Sequence, residues 1–436
     1  MKRRAAARDG SVVRHVMSRF ARGLLLASLT LASMAPAAAD ETPRPLLAKN
    51  KPVDWWFVFK FNSSKQFGGC GRVEGKRACP FGGEPLTRPD FGQQFAFASK
   101  AGAELMEGKG CLGATMNDPV GATFDQVYNG NYFYVLWNDQ FYGDPRVCGK
   151  GANCTGRWGH SKGMMAWNES GEGFVMQVTT PSWPGSGSKR IKRKSGNTLG
   201  CVSTNNNLRA SQHFFALKLN KADVLKVLAA LKTANVATDV NQLQVVSNGG
   251  PADVRAAVLE LGKPPRKPAN GERIDMTRDE LSTGAILITK PPYLFAPPWQ
   301  LVSAELGSAS QRAATWWTKP WIYSTSKSSA VKCWPKGKDK PGAVKIALTG
   351  EWADAPIKLN APANHAKIGT AEVDGNRYVI FGDLNQQGSA SPPPDCDSSQ
   401  NGRGGMFFVL KNADLHGSLS ALIQGNTAVL EPGPKR

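Results

Sequence analysis

Two segments of the chain share one unusual layout: a histidine and a lysine two residues apart, then a strand, a turn and a second strand. One segment starts with "GHSKG" at residues 159 to 163, and the other starts with "NHAK" at residues 364 to 367. In both, the second strand begins 13 or 14 residues after the histidine. These segments use two of the four histidines that follow residue 39. Such a repeat predicts two similar halves, each with its own pair of strands.

The spacing of the histidine and the lysine has a chemical reason. On a β-strand, residues i and i+2 project from the same face, so His160 and Lys162 point to one side, as do His365 and Lys367. If the halves pack about a pseudo-twofold axis, two imidazoles and two ammonium groups enclose one phosphodiester. One histidine attacks phosphorus, the other protonates the leaving oxygen, and the lysines stabilise the negative charge. This site needs no metal and no cofactor. The competing interpretation is that both histidines are structural residues of hairpins.

The first 39 residues are typical of a secretory signal peptide. They carry seven basic residues, an apolar run at residues 24 to 31 and small residues up to Ala39. No stretch is long enough to span a bilayer, so we expect a secreted or periplasmic protein with no membrane association. The formal net charge is +20 for the whole chain and +14 without this segment. Such a charge suits a polyanion, although many exported proteins are basic only for solubility.

All eight cysteines follow residue 39, which favours disulfides in an oxidising compartment. The two local pairs, Cys70 with Cys79 and Cys148 with Cys154, are the ones we predict. Metal binding is the alternative. It is weaker because the chain has no CxxC pair and no histidine at a ligand spacing from a cysteine.

The pattern of apolar residues predicts a mixed α/β protein with large sheets. Asn220 is placed to cap a helix with a buried face, and residues 91 to 106 are a second helix candidate. The Gly- and Pro-rich residues 247 to 272 suggest a seam between an N-terminal half, 40–250, and a C-terminal half, 251–436. The expected strands are residues 55–61, 132–137, 163–167, 174–178, 286–289, 377–381 and 406–410.

The doubled HxK resembles the hallmark of the phospholipase D superfamily, and the chain looks specifically like deoxyribonuclease II, the acid endonuclease branch, as a bacterial-type exported member. The resemblance covers nearly the whole mature chain, in the family's order. It is carried by "KPVDWWFVFKFNSS" (51–64), "YVLWNDQ" (134–140), "GHSKG" (159–163), "LGCVS" (199–203), "NHAK" (364–367), "GDLN" (382–385) and "GRGG" (402–405).

The resemblance implies two phospholipase D-like halves with mixed β-sheets and flanking helices, related by a pseudo-twofold with the active site between them. It makes His160, Lys162, His365 and Lys367 the catalytic residues, and it makes Asn385 a phosphate-binding residue. The implied reaction cuts DNA without metal at acidic pH, through a phosphohistidine, and leaves 3′-phosphate and 5′-hydroxyl ends.

Three positions depart from the family pattern. Val178 stands where animal members have a histidine thought to assist catalysis. Trp167 and Glu372 stand where many superfamily members have an aspartate five residues after the lysine, which argues against the lipid-acting branches. In the first half, "TTPSW" (179–183) replaces "GDLN", so no phosphate-binding asparagine is named there.

A basic loop at residues 185 to 197 follows the first strand pair. We expect it to lie near the site and to contact DNA phosphates without recognising bases. The competing interpretation is that it is only a run of solvated surface charges. Its cations are Lys189, Arg190, Lys192, Arg193 and Lys194. His213 and His416 receive no role, and Trp316 and Trp317 are expected in the core.

These features together predict a metal-independent endodeoxyribonuclease of low sequence specificity. A phosphodiesterase acting on lipid head groups is the alternative enzyme, and an exported DNA-binding protein without activity is the alternative outside enzymes. The sequence leaves open whether the chain works alone or as a homodimer.

Overall fold

The computed structural model describes residues 41–64, 66–67, 79–83, 93–148, 154, 158–199, 209–263, 267–269, 272, 274–316, 323–331, 333–386, 396 and 399–430. The predicted signal peptide lies outside them. Among these residues, none of the helices has the length and the apolar character that crossing a membrane requires.

Eight strands form the first sheet. They are β1 (Trp55–Lys60), β2 (Phe95–Ser99), β3 (Gly102–Glu107), β4 (Phe133–Asn138), β5 (Lys162–Trp167), β6 (Gly173–Val178), β7 (Gln212–Leu219) and β8 (Val246–Ser247). All their pairings are antiparallel. The centre of the sheet is buried on both faces, so its strands read as continuous apolar runs.

Seven strands form the second sheet, and two more form a separate hairpin. The strands are β9 (Thr277–Glu280), β10 (Ile286–Lys290), β11 (Ser310–Ala314), β12 (Val344–Ile346), β13 (Thr349–Trp352), β14 (Ala355–Lys358), β15 (Ile368–Val373), β16 (Asn376–Gly382) and β17 (Gly405–Lys411). The hairpin is β13–β14, and β11 pairs with β12 in parallel, so the second sheet is mixed.

The two sheets have corresponding strand orders. From one edge, the first runs β8-β4-β5-β6-β7-β1-β2-β3 and the second runs β12-β11-β15-β16-β17-β10-β9. The registers agree as well. Gly163 pairs with Gln177 and Ile368 pairs with Phe381, and each first member directly follows an HxK lysine. This correspondence allows positions in the two sheets to be compared residue by residue.

Within the described ranges, five α-helices flank the sheets: α1 (Pro119–Tyr128), α2 (Lys221–Ala234), α3 (Ala252–Glu260), α4 (Pro298–Glu305) and α5 (Ala413–Leu422). Helices α2 and α5 directly follow β7 and β17, and each begins at an asparagine, Asn220 or Asn412, whose side chain accepts a backbone N–H of the first turn. Each of these two helices packs against strands of both sheets. They therefore hold the two sheets together.

Aromatic side chains fill the space between the sheets. Phe381 of the second sheet stacks on Phe57 and Phe215 of the first, with ring centroids 4.7 and 4.4 Å apart. Phe408 packs against Phe215 at 5.6 Å. Such ring pairs contribute about 0.5–1.5 kcal/mol each beyond the area they bury. This core fixes the relative position of the strands that carry the HxK residues.

The predicted strands are all confirmed to within about a residue, and so is the helix capped by Asn220. The helix expected over residues 91 to 106 is wrong. From Phe95 to Ser99 large and small residues alternate, and this segment forms β2, which is followed by a turn and β3.

The disulfide Cys148–Cys154 is confirmed. A second one, Cys333–Cys396, joins residues 63 positions apart, which sequence reasoning did not predict. Cys70 lies outside the described residues, so its pairing with Cys79 stays a prediction.

The seam at residues 247 to 272 includes α3, which packs against α2. Strands of the first sheet precede this segment and strands of the second follow it. Asp40–Arg436 nevertheless form one compact unit, and the two-domain boundary near residue 250 stays a prediction.

Candidate active site

The two HxK segments lie where the chain enters β5 and β15. Lys162 is the first residue of its strand, whereas His160, His365 and Lys367 lie just before theirs. The expectation that each histidine sits within a strand is therefore wrong.

Two reciprocal backbone hydrogen bonds bring these segments together. The His160 N–H donates to the carbonyl of Gly404, which lies just before β17 of the second sheet, at 2.8 Å. The His365 N–H donates to the carbonyl of Ser211, which lies just before β7 of the first sheet, also at 2.8 Å. Each HxK segment is thus bonded to the other sheet.

Glycines allow the backbones to approach closely at this junction. A Cβ on Gly159 would lie 2.4 Å from the carbonyl oxygen of Ala234, at the end of α2, and a Cβ on Gly404 would lie 2.2 Å from the same oxygen. Real side chains do not fit at such distances. The glycines of "GHSKG" and "GRGG" therefore have a packing role beside the histidine.

The His160 ring is oriented by the other half of the chain. Its Nδ1 lies 2.8 Å from the backbone carbonyl oxygen of Asp383, just past β16. A carbonyl only accepts, so Nδ1 carries the proton and the lone pair of the neutral ring is on Nε2. Nε2 is therefore the atom available as a nucleophile or base.

The Lys162 ammonium group has a buried counter-ion. Its Nζ lies 2.5 Å from Oδ1 of Asp139, and Arg403 donates to Oδ2 of Asp139 at 2.9 Å. Burial alone would raise the pKa of Asp139, but Lys162, His160 and Arg403 lower it below its usual range. Asp139 is therefore a fixed negative charge beside the first HxK. Its segment, "YVLWNDQ", carries the family resemblance, but the sequence alone gives Asp139 no role.

A chain of buried polar groups connects the two copies. The backbone N–H of Lys367 donates to Nδ1 of His213 at 3.1 Å, and Nε2 of His213 faces Oε1 of Gln177 at 3.4 Å. Gln177 in turn donates to the Asp383 carboxyl group at 2.9 Å, and the Asp383 carbonyl accepts from His160. His213 was given no role from the sequence. It is fully buried and lies in this chain.

The second copy has a different environment. The Lys367 Nζ donates to the carbonyl of its own neighbour His365 at 2.6 Å. The His365 ring lies edge-on to Trp316, with centroids 6.0 Å apart. Trp316 is half-buried rather than a core residue, and Trp317 lies outside the described residues.

Asn385 follows β16 and is 4% exposed, and its buried Oδ1 has no hydrogen-bond partner among the described residues. When β6 and β16 are aligned by their registers, Pro181 of the first half corresponds to Asn385, and Thr179 corresponds to Asp383. The lack of a second asparagine is therefore a real difference between the halves. Val178 ends β6 and is buried. Its side chain is apolar, so it cannot replace the histidine that animal members have at this position.

Burial and positive charge keep both histidines neutral. The pKa of His365 falls to about 3, because of burial first and then Lys367, Lys162 and Lys60. The pKa of His160 falls well below its ordinary value, because of burial, Lys162, Arg403 and Lys367, although Asp139 opposes the shift. Each histidine thus responds to the lysine of the other copy.

Two further lysines are buried at corresponding strand ends. Lys60 ends β1, and its Nζ donates to the carbonyl of Ala210 at 2.9 Å; Lys290 ends β10, and its Nζ donates to the carbonyls of Asn401 and Arg403 at 2.8 Å. Burial lowers the pKa of Lys290 to about 7. Each lysine thus donates to the backbone segment that precedes β7 or β17.

The basic loop differs from the expectation in one residue. Arg193 is 2% exposed, and its guanidinium group donates to the backbone and hydroxyl oxygens of Ser182 and to the carbonyl of Phe141. It anchors the loop and is not available to a phosphate.

The other four cations of the loop are exposed: Lys189, Arg190, Lys192 and Lys194. Arg190 donates to the side chain of Asn131 at 2.6 Å, just before β4 begins, whereas Asp139 and Lys162 meet just after β4 ends. The six residues of β4 span about 17 Å. Arg190 therefore lies at the end of β4 away from Lys162, whereas the backbone N–H of Lys194 donates to the side chain of Asp144, which follows the other end of β4, at 2.7 Å.

Comparison with known proteins supports part of the resemblance. The sequence model of the Deoxyribonuclease II family matches residues 80–261, which include the first HxK and not the second. Plancitoxin-1 from Acanthaster planci is 22% identical over 188 residues, which cover 40% of this chain and 45% of that protein. The chain thus aligns with less than half the length of this relative. The similarity to that family is thus confined to less than half of the chain.

Among the described residues, no group of three or more His, Cys, Asp or Glu side chains is placed to hold a metal ion. Asp139 pairs with Lys162 and Arg403, whereas burial and Lys162 lower the pKa of Lys367 well below its ordinary value. Burial raises the pKa of Asp383 to about 7.

Proposed function

We propose that this protein is a metal-independent endodeoxyribonuclease that hydrolyses DNA to 3′-phosphate and 5′-hydroxyl ends. Its catalytic residues are His160, Lys162, His365 and Lys367, and Asn385 binds phosphate. The two HxK copies belong to phospholipase D-like halves related by a pseudo-twofold axis, and the corresponding sheet orders support this arrangement.

One observation carries the proposal: each HxK segment is hydrogen-bonded to the other sheet, His160 to Gly404 and His365 to Ser211, so the two copies lie at one junction. The effect of Lys367 on the pKa of His160, and of Lys162 on the pKa of His365, agrees with this placement. An anionic group bound between the two HxK segments offsets charge on the buried Lys162 and Lys367 and on the half-buried histidines. A single phosphodiester has the charge for this role.

In the first step, Nε2 of neutral His160 attacks phosphorus, and the bond from phosphorus to the 5′ oxygen breaks. His365, protonated when the anion is bound, gives its proton to that oxygen and becomes neutral. The assignment follows from the Asp383 carbonyl, which holds the proton of His160 on Nδ1. Lys162 and Lys367 stabilise the charge that develops on the non-bridging oxygens.

In the second step, water attacks the phosphohistidine and the bond from phosphorus to Nε2 breaks. Neutral His365 takes the proton of that water, which returns both rings to their starting states. The product that remains is a 3′-phosphate.

The lowered pKa values favour acidic working conditions. His160 must be neutral to attack, and a depressed pKa keeps it neutral at acid pH. His365 must be protonated in the complex, and its depressed pKa means that this proton is lost as pH rises. Both limbs of the pH profile therefore move to the acid side of the ordinary histidine value near 6.5.

The protein works outside the cytoplasm, in a secreted or periplasmic location. Disulfides such as Cys148–Cys154 form and persist in oxidising compartments. The exposed basic loop supplies cations for sequence-independent contact with phosphates.

The test is nicking of supercoiled plasmid in excess EDTA by the wild type, by His160→Gln and by His416→Gln. His416 is a matched control because it is half-buried on α5, away from the HxK residues. We expect the wild type and His416→Gln to nick, and polynucleotide kinase to label the new 5′ ends without prior dephosphorylation. Loss of activity in EDTA and its return with magnesium would contradict the proposal.

The same assay separates the alternatives. Hydrolysis of a lipid head-group diester with DNA left intact indicates the lipid-acting enzyme. DNA binding with no cleavage by the wild type at any pH indicates a binding protein.

A further inference from the structure

Trp316 occupies the position that corresponds to Asp139. Trp137 pairs with Gly163 and Ala314 pairs with Ile368, and the second member of each pair directly follows an HxK lysine. Counting two residues onward from Trp137 and from Ala314 gives Asp139 and Trp316. In the first sheet this position reaches the HxK directly, because Asp139 bonds Lys162 at 2.5 Å.

The two occupants have opposite chemistry. Asp139 is 2% exposed, and its two carboxylate oxygens are paired with Lys162 and Arg403. Trp316 is half-buried, and its ring meets the His365 ring at 80°. A carboxylate neutralises a lysine, but an indole cannot. What an indole can offer beside a histidine is a flat π face.

We propose that Trp316 stacks against the base of the nucleotide that leaves with the 5′-hydroxyl group, and that it thereby favours DNA that is unpaired at the point of cleavage. This inference rests on the proposed function. In that function His365 protonates the 5′ oxygen, so the leaving nucleotide lies on the His365 side, where Trp316 is. The first half has an aspartate, not an aromatic residue, at the corresponding position, so only the nucleotide on the His365 side can stack in this way.

Stacking fits a nuclease of low sequence specificity, since every base has a π face. A base inside a duplex already stacks on its neighbours, so it must be displaced to reach Trp316. That displacement costs least in a single strand or at a mismatch. Trp316 thus selects by base pairing, not by sequence.

A simpler role for Trp316 is to hold the His365 ring in place. The two roles differ in one respect: a residue that only supports His365 acts equally on substrates with and without the base. The substitutions Trp316→Phe and Trp316→Leu exploit this difference. Both fill the site beside His365, and only phenylalanine keeps a π face.

The experiment uses dinucleotides with a single phosphodiester: TpT, and its analogues in which one nucleoside is abasic. For the wild type we expect kcat/KM to fall about 5- to 100-fold when the base on the 5′-hydroxyl side is missing. It should change little when the other base is missing. In Trp316→Leu, TpT should react as slowly as that first analogue, with no further loss on the analogue itself.

The control is Trp334→Ala, since Trp334 is also half-buried but packs against the second core on the outer face of the second sheet. It should keep the full base dependence, and Trp316→Phe should keep most of it. Equal losses by Trp316→Leu on TpT and on the analogue overturn the stacking role while the nuclease stands. Dependence on the other base overturns the assignment of sides. If the wild type cleaves no dinucleotide and no plasmid, the proposed function fails and this inference fails with it.

Discussion

The imidazole Nδ1 of His160 lies 2.8 Å from the backbone carbonyl oxygen of Asp383, 223 residues further along the chain. The donor precedes β5 of the first sheet, and the acceptor follows β16 of the second. One ring is thus oriented by the half that carries the other HxK. Neither half can present His160 in this tautomer alone, so the site depends on how the sheets pack.

The first prediction concerns the division of labour between the histidines. With a substrate whose leaving group needs no protonation, such as a p-nitrophenyl ester of thymidine 3′-phosphate, His365→Ala should still form the phosphohistidine and then hydrolyse it slowly. His160→Ala should form none, because the nucleophile is missing. Acid-quenched samples analysed by mass spectrometry measure the adduct. An adduct on His365 in the His160→Ala variant would reverse the assignment.

Much of this arrangement could be predicted from local sequence. The strands are short aromatic and branched runs between turn residues, and the HxK spacing marked all four side chains. The helix expected at residues 91 to 106 does not form, because "FAFAS" pairs as β2 between β1 and β3.

The partners of the HxK residues could not be predicted in this way. Asp139 and Arg403 meet only when β4 and the segment before β17 come together, and His213 joins the network through Lys367 of the other sheet. Arg193 looks like its exposed neighbours in sequence. Only the packing of the loop against Ser182 and Phe141 makes it an anchor.

The second prediction concerns Asp139. In Asp139→Asn, Lys162 and Arg403 lose their shared counter-ion, so we expect the free energy of unfolding to fall by about 3–5 kcal/mol. Because Asp139 raises the pKa of His160, its removal should also move the acid limb of kcat/KM to lower pH. Urea titrations and pH profiles measure the two effects.

The matched control for Asp139 is Asp54→Asn. Asp54 lies 3.8 Å from Lys218 in an exposed pair, for which about 0–1 kcal/mol is expected, with no change in the pH profile. Equal effects of the two substitutions would mean that Asp139 stabilises the protein no more than an exposed ion pair does.

The third prediction concerns the basic loop. Replacing Lys189, Arg190, Lys192 and Lys194 with glutamine should weaken DNA binding. The slope of log K against log salt should become shallower by about 0.9 for each phosphate that the loop no longer neutralises. Hydrolysis of a dinucleotide should not change, because these substitutions leave the HxK residues intact and a dinucleotide has no further phosphates for the loop to contact. An unchanged slope would mean that the loop is only a solvated surface.

Arg193→Gln is the internal comparison for that loop. The buried guanidinium group loses its bonds to Ser182 and Phe141, so unfolding should become easier by about 2–3 kcal/mol. The four exposed substitutions should each change stability by less than about 0.5 kcal/mol.

The last prediction concerns the buried His213 and stability at acid pH. Burial, and then Lys367, lower its pKa well below the ordinary value, so below about pH 6.5 the unfolded chain binds a proton there that the folded chain does not. The free energy of unfolding therefore falls as pH falls. In His213→Asn this proton is absent, so between pH 6.5 and 4.5 the decline in the free energy of unfolding should be smaller by up to about 1.4 kcal/mol per pH unit.

Asp383, whose pKa is raised to about 7 by burial, changes stability in the opposite direction in both proteins, so its effect cancels in the comparison. His416→Asn, at a half-buried position, should alter the slope much less. Urea unfolding at several pH values measures the slopes, and parallel curves for the wild type and His213→Asn would mean that His213 is protonated in the fold and cannot accept the Lys367 N–H.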